Sequence, residues 1–271
     1  MESVSKLAVL GAGKMGETLI KALLDGRALR HEQIVATNKH EERGRAFAER
    51  LGVKVIQNNR AAVEQAQVIL LCVKPQAIRE ALAEIQPAVR TDQLIISIVA
   101  SATTAFIEKH LDKPAPVVRA MPNTPALIRA GMTVLCAGKF AQTHHLALTK
   151  TIFDTVGRTM VLDEKHMDAV TALSASGPAY IYVVLESLAE GGVKVGLPRN
   201  IATELAAQMC LGAAKMVLET REHPALLKDA VTTPAGCTID GLLKLEEGGL
   251  RVTLIKAVVE ATQRARQLIE S

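Results

Sequence analysis

Two kinds of hydrophobic pattern divide the chain near residue 163. In the first part, short runs that are apolar at every position, such as Leu7–Leu10 and Val68–Val73, alternate with segments whose apolar residues recur at helical spacing. Continuous apolar runs of this length are typical of central strands in a parallel sheet, and the periodic segments are typical of amphipathic helices. We therefore predict an α/β domain over residues 1–163, an N-terminal Rossmann-type doubly wound parallel sheet.

No convincing strand pattern follows in residues 164–271, which predict an all-helical C-terminal domain. The run Tyr180–Leu185 has strand-like composition. A cap residue and a proline precede it in Ser176-Gly177-Pro178, so we predict a helix. This helix is apolar nearly all round, and a small bundle cannot bury that much apolar surface alone. We expect a homodimer through these helices, which makes the second part a dimerisation domain.

The predicted strands of the first part end near Leu10, Thr37, Val73, Val99 and Ala120. In doubly wound sheets, ligands bind beyond the carboxyl ends of the strands. The loops that follow these five positions are therefore expected to share one crevice.

The first of these loops carries a dinucleotide-binding fingerprint. Leu7–Leu10 runs into Gly11-Ala12-Gly13-Lys14-Met15-Gly16, and a helical pattern follows. Gly11 allows the sharp turn, Gly13 lets a pyrophosphate approach the backbone, and Gly16 allows close helix–strand packing. The helix N-terminus then offers free N–H groups to the phosphates. The alternative is a glycine-rich turn without a ligand.

The end of the second strand indicates which dinucleotide binds. An NAD site usually has Asp or Glu about 20 residues after the glycines. Here the sequence is Thr37-Asn38-Lys39-His40, with Arg43 and Arg45 following. Because cations replace the carboxylate, we predict NADP, with NADPH preferred and NADH possible. The alternative is that Lys39 and Arg43 are ordinary solvated helix residues.

Two further loops belong to the predicted crevice. Lys74, in Val73-Lys74-Pro75, reaches a phosphate, a ribose or the substrate, or is simply an exposed lysine at a strand end. The loop Met121–Pro125 is stiffened by two prolines and presents Asn123, whose amide either bonds nicotinamide or substrate or completes a structural turn.

Two loops in the helical part begin helices and can grip a small anion. In Leu173–Ala179, Ser176 is the predicted N-cap. In Thr232–Thr238, hydroxyls crowd a turn and Thr238 is predicted to cap a helix over Ile239–Leu245. A carboxylate held at such helix starts would meet free N–H groups. Helix capping alone is the alternative for both loops.

Composition narrows the functional classes. The chain is 49% hydrophobic and 22% charged, as expected for a globular protein with a full core. With 2% aromatic residues and no Trp, it lacks the stacking surfaces of nucleic-acid-binding proteins. Its net charge of +4 is scattered along the chain. The adjacent His144 and His145 lack metal-ligand spacing, so no metal site is predicted.

The chain is expected to be cytoplasmic. Its four cysteines lie far apart, which favours reduced thiols. We find no signal-peptide pattern, and no uninterrupted apolar run approaches the about 18 residues that a membrane span needs.

The motifs together resemble the pyrroline-5-carboxylate reductase family over the whole chain. They occur in this order: Gly11-Ala12-Gly13-Lys14-Met15-Gly16, Val73-Lys74-Pro75, Met121-Pro122-Asn123-Thr124-Pro125, Ser174-Ala175-Ser176-Gly177-Pro178-Ala179-Tyr180, Gly191-Gly192-Val193, Gly196-Leu197-Pro198 and Asp229-Ala230-Val231-Thr232-Thr233-Pro234-Ala235-Gly236. The resemblance implies the last step of proline synthesis, in which NAD(P)H delivers hydride to the C=N carbon of 1-pyrroline-5-carboxylate and gives L-proline. It also implies a helical domain that intertwines with a partner subunit, and allows a ring of dimers.

The resemblance and the loop patterns described above together predict the site residues. Thr238 corresponds to the threonine that bonds the ring nitrogen and is the predicted catalytic residue. The predicted substrate-binding residues are Ser174, Ser176, Gly177, Val231, Thr232, Thr233 and Asn123. The predicted cofactor-binding residues are Gly11, Gly13, Lys14, Met15, Gly16, Asn38, Lys39, Asn59, Val73, Lys74 and Pro75. Ala175 and Ala235 stand where the family usually has glycine, which matters if either backbone needs positive φ.

Two other functions fit parts of the pattern. A hydroxyacid dehydrogenase has the same fingerprint and a helical domain, but its chemistry normally requires a Lys or His there, and Lys194 is the obvious candidate. A non-catalytic NADP-sensing protein would bind cofactor without turnover.

Overall fold

The computed structural model describes residues 4–100 and 102–267 of the chain. Eight strands form one sheet in the order β3-β2-β1-β4-β5-β6-β7-β8. They are β1 Leu7–Leu10, β2 Ile34–Thr37, β3 Lys54–Ile56, β4 Val68–Leu71, β5 Leu94–Ser97, β6 Val117–Met121, β7 Gly131–Ala137 and β8 Gly157–Val161. The first six strands are parallel and in the order of a Rossmann fold, as predicted.

Strand β7 departs from the parallel arrangement and runs antiparallel to β6. The segment between them holds only a short 3₁₀ helix, Thr124–Ile128. A parallel crossover needs about a dozen residues or more, so this short connection reverses the chain instead.

Six helices accompany the sheet: α1 Lys14–Asp25, α2 Glu41–Leu51, α3 Asn59–Glu64, α4 Ile78–Ile85, α5 Thr104–Leu111 and α6 Thr143–Phe153. Apolar clusters cover both faces of the sheet, so β1, β4 and β5 are buried at every position. The helices α3 and α5 were not predicted. Each begins with a side-chain cap, Asn58 on Ala61 N–H and Thr103 on Phe106 N–H.

The strand register brings the carboxyl ends together. Leu10 pairs with Thr37 on one side and Leu71 on the other, and Leu71 pairs with Ser97. The loops that follow these strands, which are predicted to form a crevice, therefore all leave the sheet at the carboxyl-terminal ends of its strands.

Beyond Val161, the described residues contain helices and no strand. They are α7 Met167–Val170, a π-helical turn Thr171–Ala175, α8 Gly177–Lys194, α9 Arg199–Thr220, α10 Pro224–Val231, α11 Cys237–Glu247 and α12 Leu250–Gln267. Residues Tyr180–Leu185 are helical, as predicted. The last four residues of the predicted helical domain, 268–271, lie outside the described residues.

The chain forms two compact units, and their limits differ from the predicted domains. The first unit comprises residues up to Ala175 and again from Ala261 on, and the second comprises Ser176–Glu260. Residues 164–175 count with the first unit because Glu164 pairs with Arg119 of β6 and accepts a hydrogen bond from Thr104 N–H at 2.8 Å. The domain limits 1–163 and 164–271 stay a prediction.

The second unit buries little of its own apolar surface. Its buried hydrophobic residues among those described are Ala189, Ala202 and Ala206. Gly192 allows α8 and α9 to approach, since a Cβ there would lie 2.9 Å from the Cβ of Ala202. Helix α9 has the length and hydropathy of a membrane span. One such helix is weak evidence for a membrane protein.

Candidate functional site

The glycine turn after β1 has the geometry of a dinucleotide site. Gly11 has φ +91°, and a Cβ there would lie 3.0 Å from the backbone of Cys72. A Cβ at Gly13 would meet nothing within 4 Å, so this side of the turn is open to a ligand. A Cβ at Gly16 would lie 3.2 Å from the Gly11 carbonyl oxygen, so the missing side chain allows close packing of helix and strand. Gly11 and Gly16 thus have the predicted turn and packing geometry, and the approach of a pyrophosphate at Gly13 stays a prediction.

The start of α1 leaves backbone donors free for an anion. Gly13 precedes the helix, and no side chain caps it. Lys14 is the first helical residue and is exposed. Free N–H groups and the positive end of the helix dipole favour phosphate at this position. Lys14 also lies at one end of a cleft of about 680 Å³, which otherwise runs along the flank of α1.

Asn59 occupies the first position of α3 and is only 5% exposed. Its Oδ1 accepts a hydrogen bond from Thr37 Oγ1 at 2.6 Å, and its Nδ2 donates to Glu84 at 2.6 Å. Sequence reasoning assigned no role to Thr37 or Glu84. For Thr37, the signal available in the sequence was a threonine at the end of the otherwise apolar strand β2.

The basic residues predicted for the 2′-phosphate are partly paired with carboxylates. Lys39 Nζ lies 2.6 Å from a carboxylate oxygen of Glu80, and Arg45 pairs with Glu41 at 2.9 Å. Both pairs are exposed, and such pairs contribute about 0–1 kcal/mol, so an incoming phosphate can displace them at little cost. The Asn38 side chain accepts a hydrogen bond from His40 N–H at 2.9 Å, which orders the turn.

The two remaining crevice loops differ in what their side chains do. Lys74 is exposed and precedes a 3₁₀ turn that begins at Pro75; it forms no ion pair with other described residues. Asn123 is half-buried, and its amide is engaged: Oδ1 accepts from Met132 N–H at 2.9 Å, and Nδ2 donates to the Ser174 carbonyl at 3.3 Å. Its predicted contact with a ligand is therefore restricted to the second amide hydrogen and the second lone pair of Oδ1.

The expected side-chain cap of α8 by Ser176 was wrong. Ser176 precedes the helix but has helical φ and ψ and caps no N–H group. The reason is the π-helical turn Thr171–Ala175, which continues into α8 and leaves no extended residue at its start. Within the described residues, the hydroxyls of Ser174 and Ser176 form no hydrogen bond, so both are free for a ligand. π-Helical turns occur frequently at functional sites.

The expected cap of α11 by Thr238 was also wrong. The helix begins one residue earlier, at Cys237, with Gly236 before it, so Thr238 lies within the first turn. Its half-buried hydroxyl forms no hydrogen bond to the other residues that the structure describes. The hydroxyl is thus available for chemistry beside the free N–H groups of a helix start.

The turn before α11 is tight and partly strained. Ala235 has φ +56°, the left-handed region that favours glycine. A Cβ at Gly236 would lie 2.5 Å from Thr233 Oγ1, so any other residue there would displace the Thr233 side chain. Thr232 Oγ1 donates to the Lys228 carbonyl at 2.9 Å. Ala175 has no positive φ, so of the two alanines at glycine positions only Ala235 carries this cost.

The two thiols of the first unit, half-buried Cys72 and buried Cys136, are held in the protonated form. Burial raises the pKa of Cys72 above its ordinary range, and burial together with the nearby Glu164 raises that of Cys136 to about 12. All four cysteines are free, and no group of three or more potential metal ligands lies together among the described residues.

Comparison with known proteins agrees with this geometry. Residues 164–268 match the family described as "Pyrroline-5-carboxylate reductase dimerisation". Residues 6–101, which include the glycine turn, match the family described as "NADP oxidoreductase coenzyme F420-dependent". A pyrroline-5-carboxylate reductase of Synechocystis is 41% identical over 97% of this chain and 98% of its own length. That of Pisum sativum is 38% identical over 97% of this chain and 95% of its own length.

Solved structures show the same similarity. A pyrroline-5-carboxylate reductase from Coxiella burnetii is 35% identical and has a TM-score of 0.89, with 98% of both chains covered. A Plasmodium falciparum pyrroline carboxylate reductase, solved with NADP bound, is 28% identical with a TM-score of 0.89 and 99% of both chains covered. Identity at this level over nearly the full length, together with the dinucleotide turn and the helical domain, shows that the chain belongs to the pyrroline-5-carboxylate reductase family.

Proposed function

We propose which residues of this chain bind the cofactor and which bind the substrate in the reaction of its family. The chain is an NAD(P)H-dependent oxidoreductase that reduces the C=N bond of 1-pyrroline-5-carboxylate to L-proline, the last step of proline biosynthesis. This assignment rests on two helix starts with free backbone N–H groups, one after Gly13 and one after Gly236.

The first unit holds the cofactor. The α1 N–H groups bind the pyrophosphate, and the open space at Gly13 lets it approach. NADPH is preferred to NADH, because the turn after β2 offers Asn38 and Lys39 and no carboxylate that would repel a 2′-phosphate. The other residues proposed to contact the cofactor are Lys14, Met15, Asn59, Val73, Lys74 and Pro75.

The coenzyme preference can be tested at Asn38. Aspartate would still accept the hydrogen bond from His40 N–H and loses only the long donation from Nδ2 to the Ala12 carbonyl at 3.4 Å, so Asn38→Asp largely keeps the turn and adds one negative charge. We expect NADPH affinity to fall by about tenfold, since a like charge at the phosphate costs about 1.4 kcal/mol, and NADH affinity to change little. Fluorescence titration with both cofactors measures this.

Asn58→Asp is the matched control, because it adds the same charge and keeps its cap on Ala61 N–H. Unchanged NADPH affinity in Asn38→Asp would place the 2′-phosphate elsewhere.

The helical residues hold the substrate. A protonated C=N bond is already electrophilic, so the enzyme needs to orient the substrate rather than supply a strong acid. Thr238 then provides a neutral hydroxyl for the ring nitrogen. The substrate carboxylate is bound by the loops that contain Ser174, Ser176, Gly177, Val231, Thr232 and Thr233, with Asn123 as a further contact.

The chain works as a homodimer in the cytoplasm. Support comes from the match to a dimerisation family and from exposed apolar residues on α8, α9 and α12, such as Val183, Leu205 and Ile255. A ring of dimers would extend the same assembly.

An absorbance assay of NADPH oxidation with 1-pyrroline-5-carboxylate tests the function directly. Turnover is the expected result. Cofactor binding without turnover would favour an NADP-sensing protein. Full activity of a Lys194→Ala variant would exclude the hydroxyacid dehydrogenase chemistry that requires this lysine.

A further inference from the structure

We infer that Glu84 is a positioning residue for the cofactor: it fixes the glycine turn through a directed chain of hydrogen bonds that passes through Asn59 and Thr37. This inference rests on the proposed cofactor site at that turn. All the residues involved lie in the first unit.

The chain of hydrogen bonds begins at the Glu84 carboxylate on α4. Asn59 donates to it twice, from its backbone N–H to Oε1 at 2.8 Å and from its side-chain Nδ2 to Oε2 at 2.6 Å. This two-point contact holds both the backbone and the side chain of Asn59 in place.

The next two links lead to the turn. Thr37 Oγ1 donates to Asn59 Oδ1 at 2.6 Å and accepts from Gly11 N–H at 3.3 Å. The Thr37 carbonyl also accepts from Ala12 N–H at 2.8 Å. Thr37 and Asn59 are 2% and 5% exposed, so water does not compete for these groups. One buried threonine therefore holds two consecutive N–H groups of the turn.

The direction of the chain follows from the carboxylate. A carboxylate only accepts hydrogen bonds, so the amide nitrogen of Asn59 must face Glu84 and its oxygen must face Thr37. The Thr37 hydroxyl then donates to that oxygen, and its lone pairs are left for Gly11 N–H. A glutamine at position 84 presents a donor as well as an acceptor, so the Asn59 amide can turn over and the order of donors is lost.

The turn is restrained from both sides, and Asn38 Nδ2 adds a long contact to the Ala12 carbonyl at 3.4 Å. The close approach of Gly11 to the Cys72 backbone restricts one face. Thr37 restricts the other and leaves the α1 N–H groups directed at the ligand. Loss of this restraint would weaken cofactor binding without touching the reacting atoms.

The test compares Glu84→Gln with the wild-type enzyme in NADPH titrations, steady-state kinetics and thermal melting. We expect Kd and KM for NADPH to rise by about five- to tenfold, the loss of one well-placed hydrogen bond, with kcat at saturating NADPH within about twofold of wild type. Glu84 is exposed, so the melting temperature is expected to change little. The control is Glu64→Gln, which removes a similar exposed carboxylate on α3 that pairs with Arg60.

A second variant tests the route. Thr37→Val removes the hydroxyl link, and if Glu84 acts through it, the double variant weakens NADPH binding by less than the product of the two single effects. Independent effects would overturn the inference.

Other outcomes are equally decisive. An unchanged Kd in Glu84→Gln, or a lower melting temperature with unchanged Kd, would reduce Glu84 to a structural residue and overturn the inference. Wild-type protein that fails to bind NADPH would overturn the proposed function and the inference with it.

Discussion

The two compact units differ in what they bury. The first unit fully buries large side chains on both faces of its sheet, among them Phe153, Leu7 and Ile20. In the second, only alanines are buried, whereas Leu205 and Met209 on α9 are 56% and 52% exposed. The first unit therefore has a core within one chain. The second exposes large apolar side chains that a partner subunit is expected to cover. Its stability is therefore expected to depend on protein concentration.

A charge on α9 would test this difference most strongly. Met209 lies one turn after Leu205 and forms an apolar stripe with it and with Met216. On a free surface, Met209→Glu would be neutral. Inside a dimer it buries an unpaired carboxylate, and we expect dissociation or unfolding with a cost of about 3–5 kcal/mol. Light scattering and melting at several protein concentrations measure this effect.

The control for this variant is Lys215→Glu on the same helix. Lys215 is already charged, exposed and paired with Glu219, so its reversal is expected to cost well under 1 kcal/mol. A dimer that survives Met209→Glu would show that the stripe is not the interface.

A destabilising substitution in the first unit is expected to lower the unfolding free energy by an amount that does not depend on protein concentration. Glu164 pairs with the Arg119 side chain, which is 2% exposed, and accepts two hydrogen bonds from Thr104. Glu164→Ala leaves Arg119 buried without its counter-charge, and we expect a loss of about 3 kcal/mol of unfolding free energy. Denaturant titration at two protein concentrations gives the value and its concentration dependence.

Asp163→Asn is the neighbouring control, because asparagine still accepts the hydrogen bond from Lys165 N–H. Wild-type stability in Glu164→Ala would mean that Arg119 is satisfied without this partner.

Thr238 tests whether the second unit contributes chemistry as well as an interface. Its hydroxyl does not cap α11, so Thr238→Ala is expected to melt like the wild type. If the hydroxyl bonds the ring nitrogen, kcat/KM falls at least about tenfold, or roughly 1.4 kcal/mol. Thr238→Ser keeps the hydroxyl and should keep most of the activity. Steady-state kinetics on both variants measure this, and full activity of the alanine variant would remove Thr238 from the mechanism.

The smallest effect is expected at Ala235. Because its φ is +56°, Ala235→Gly relieves a left-handed alanine and should stabilise the protein by about 0.5–1 kcal/mol. Ala175→Gly is the matched control at the other position where glycine is usual. Its backbone is helical, so there glycine should destabilise by a similar amount. Melting curves of both variants measure the signs, and equal signs would contradict this account.

Most of the fold could be predicted because its strands are apolar at every position. Runs such as Val68–Leu71 have few alternatives to a central parallel strand. The direction of β7 was missed, because it depends on the length of a turn rather than on periodicity. Helix α3 was missed since its six residues are too few to show a helical period.

The site was less predictable because its partners are distant in sequence. The glycine turn could be located from local spacing alone. The pairing of Lys39 with Glu80, and of Asn59 with Glu84, depends on α4 returning to the end of β2, which no local pattern reveals. The errors at Ser176 and Thr238 came from helix starts that lie one residue away or follow a π-helical turn.

The distribution of the thiols gives the first unit two protected chemical reporters and the second unit an exposed one. Cys72 is half-buried and Cys136 buried in the first unit, both with raised pKa values, whereas Cys210 and Cys237 belong to the second, where Cys237 is exposed. An alkylating reagent needs a thiolate that it can reach. It would modify Cys237 in the native protein and the first two only when the sheet opens. Residue-resolved alkylation rates, read by mass spectrometry, would therefore time the opening of the first unit against the rate at the exposed Cys237, in one unmodified chain.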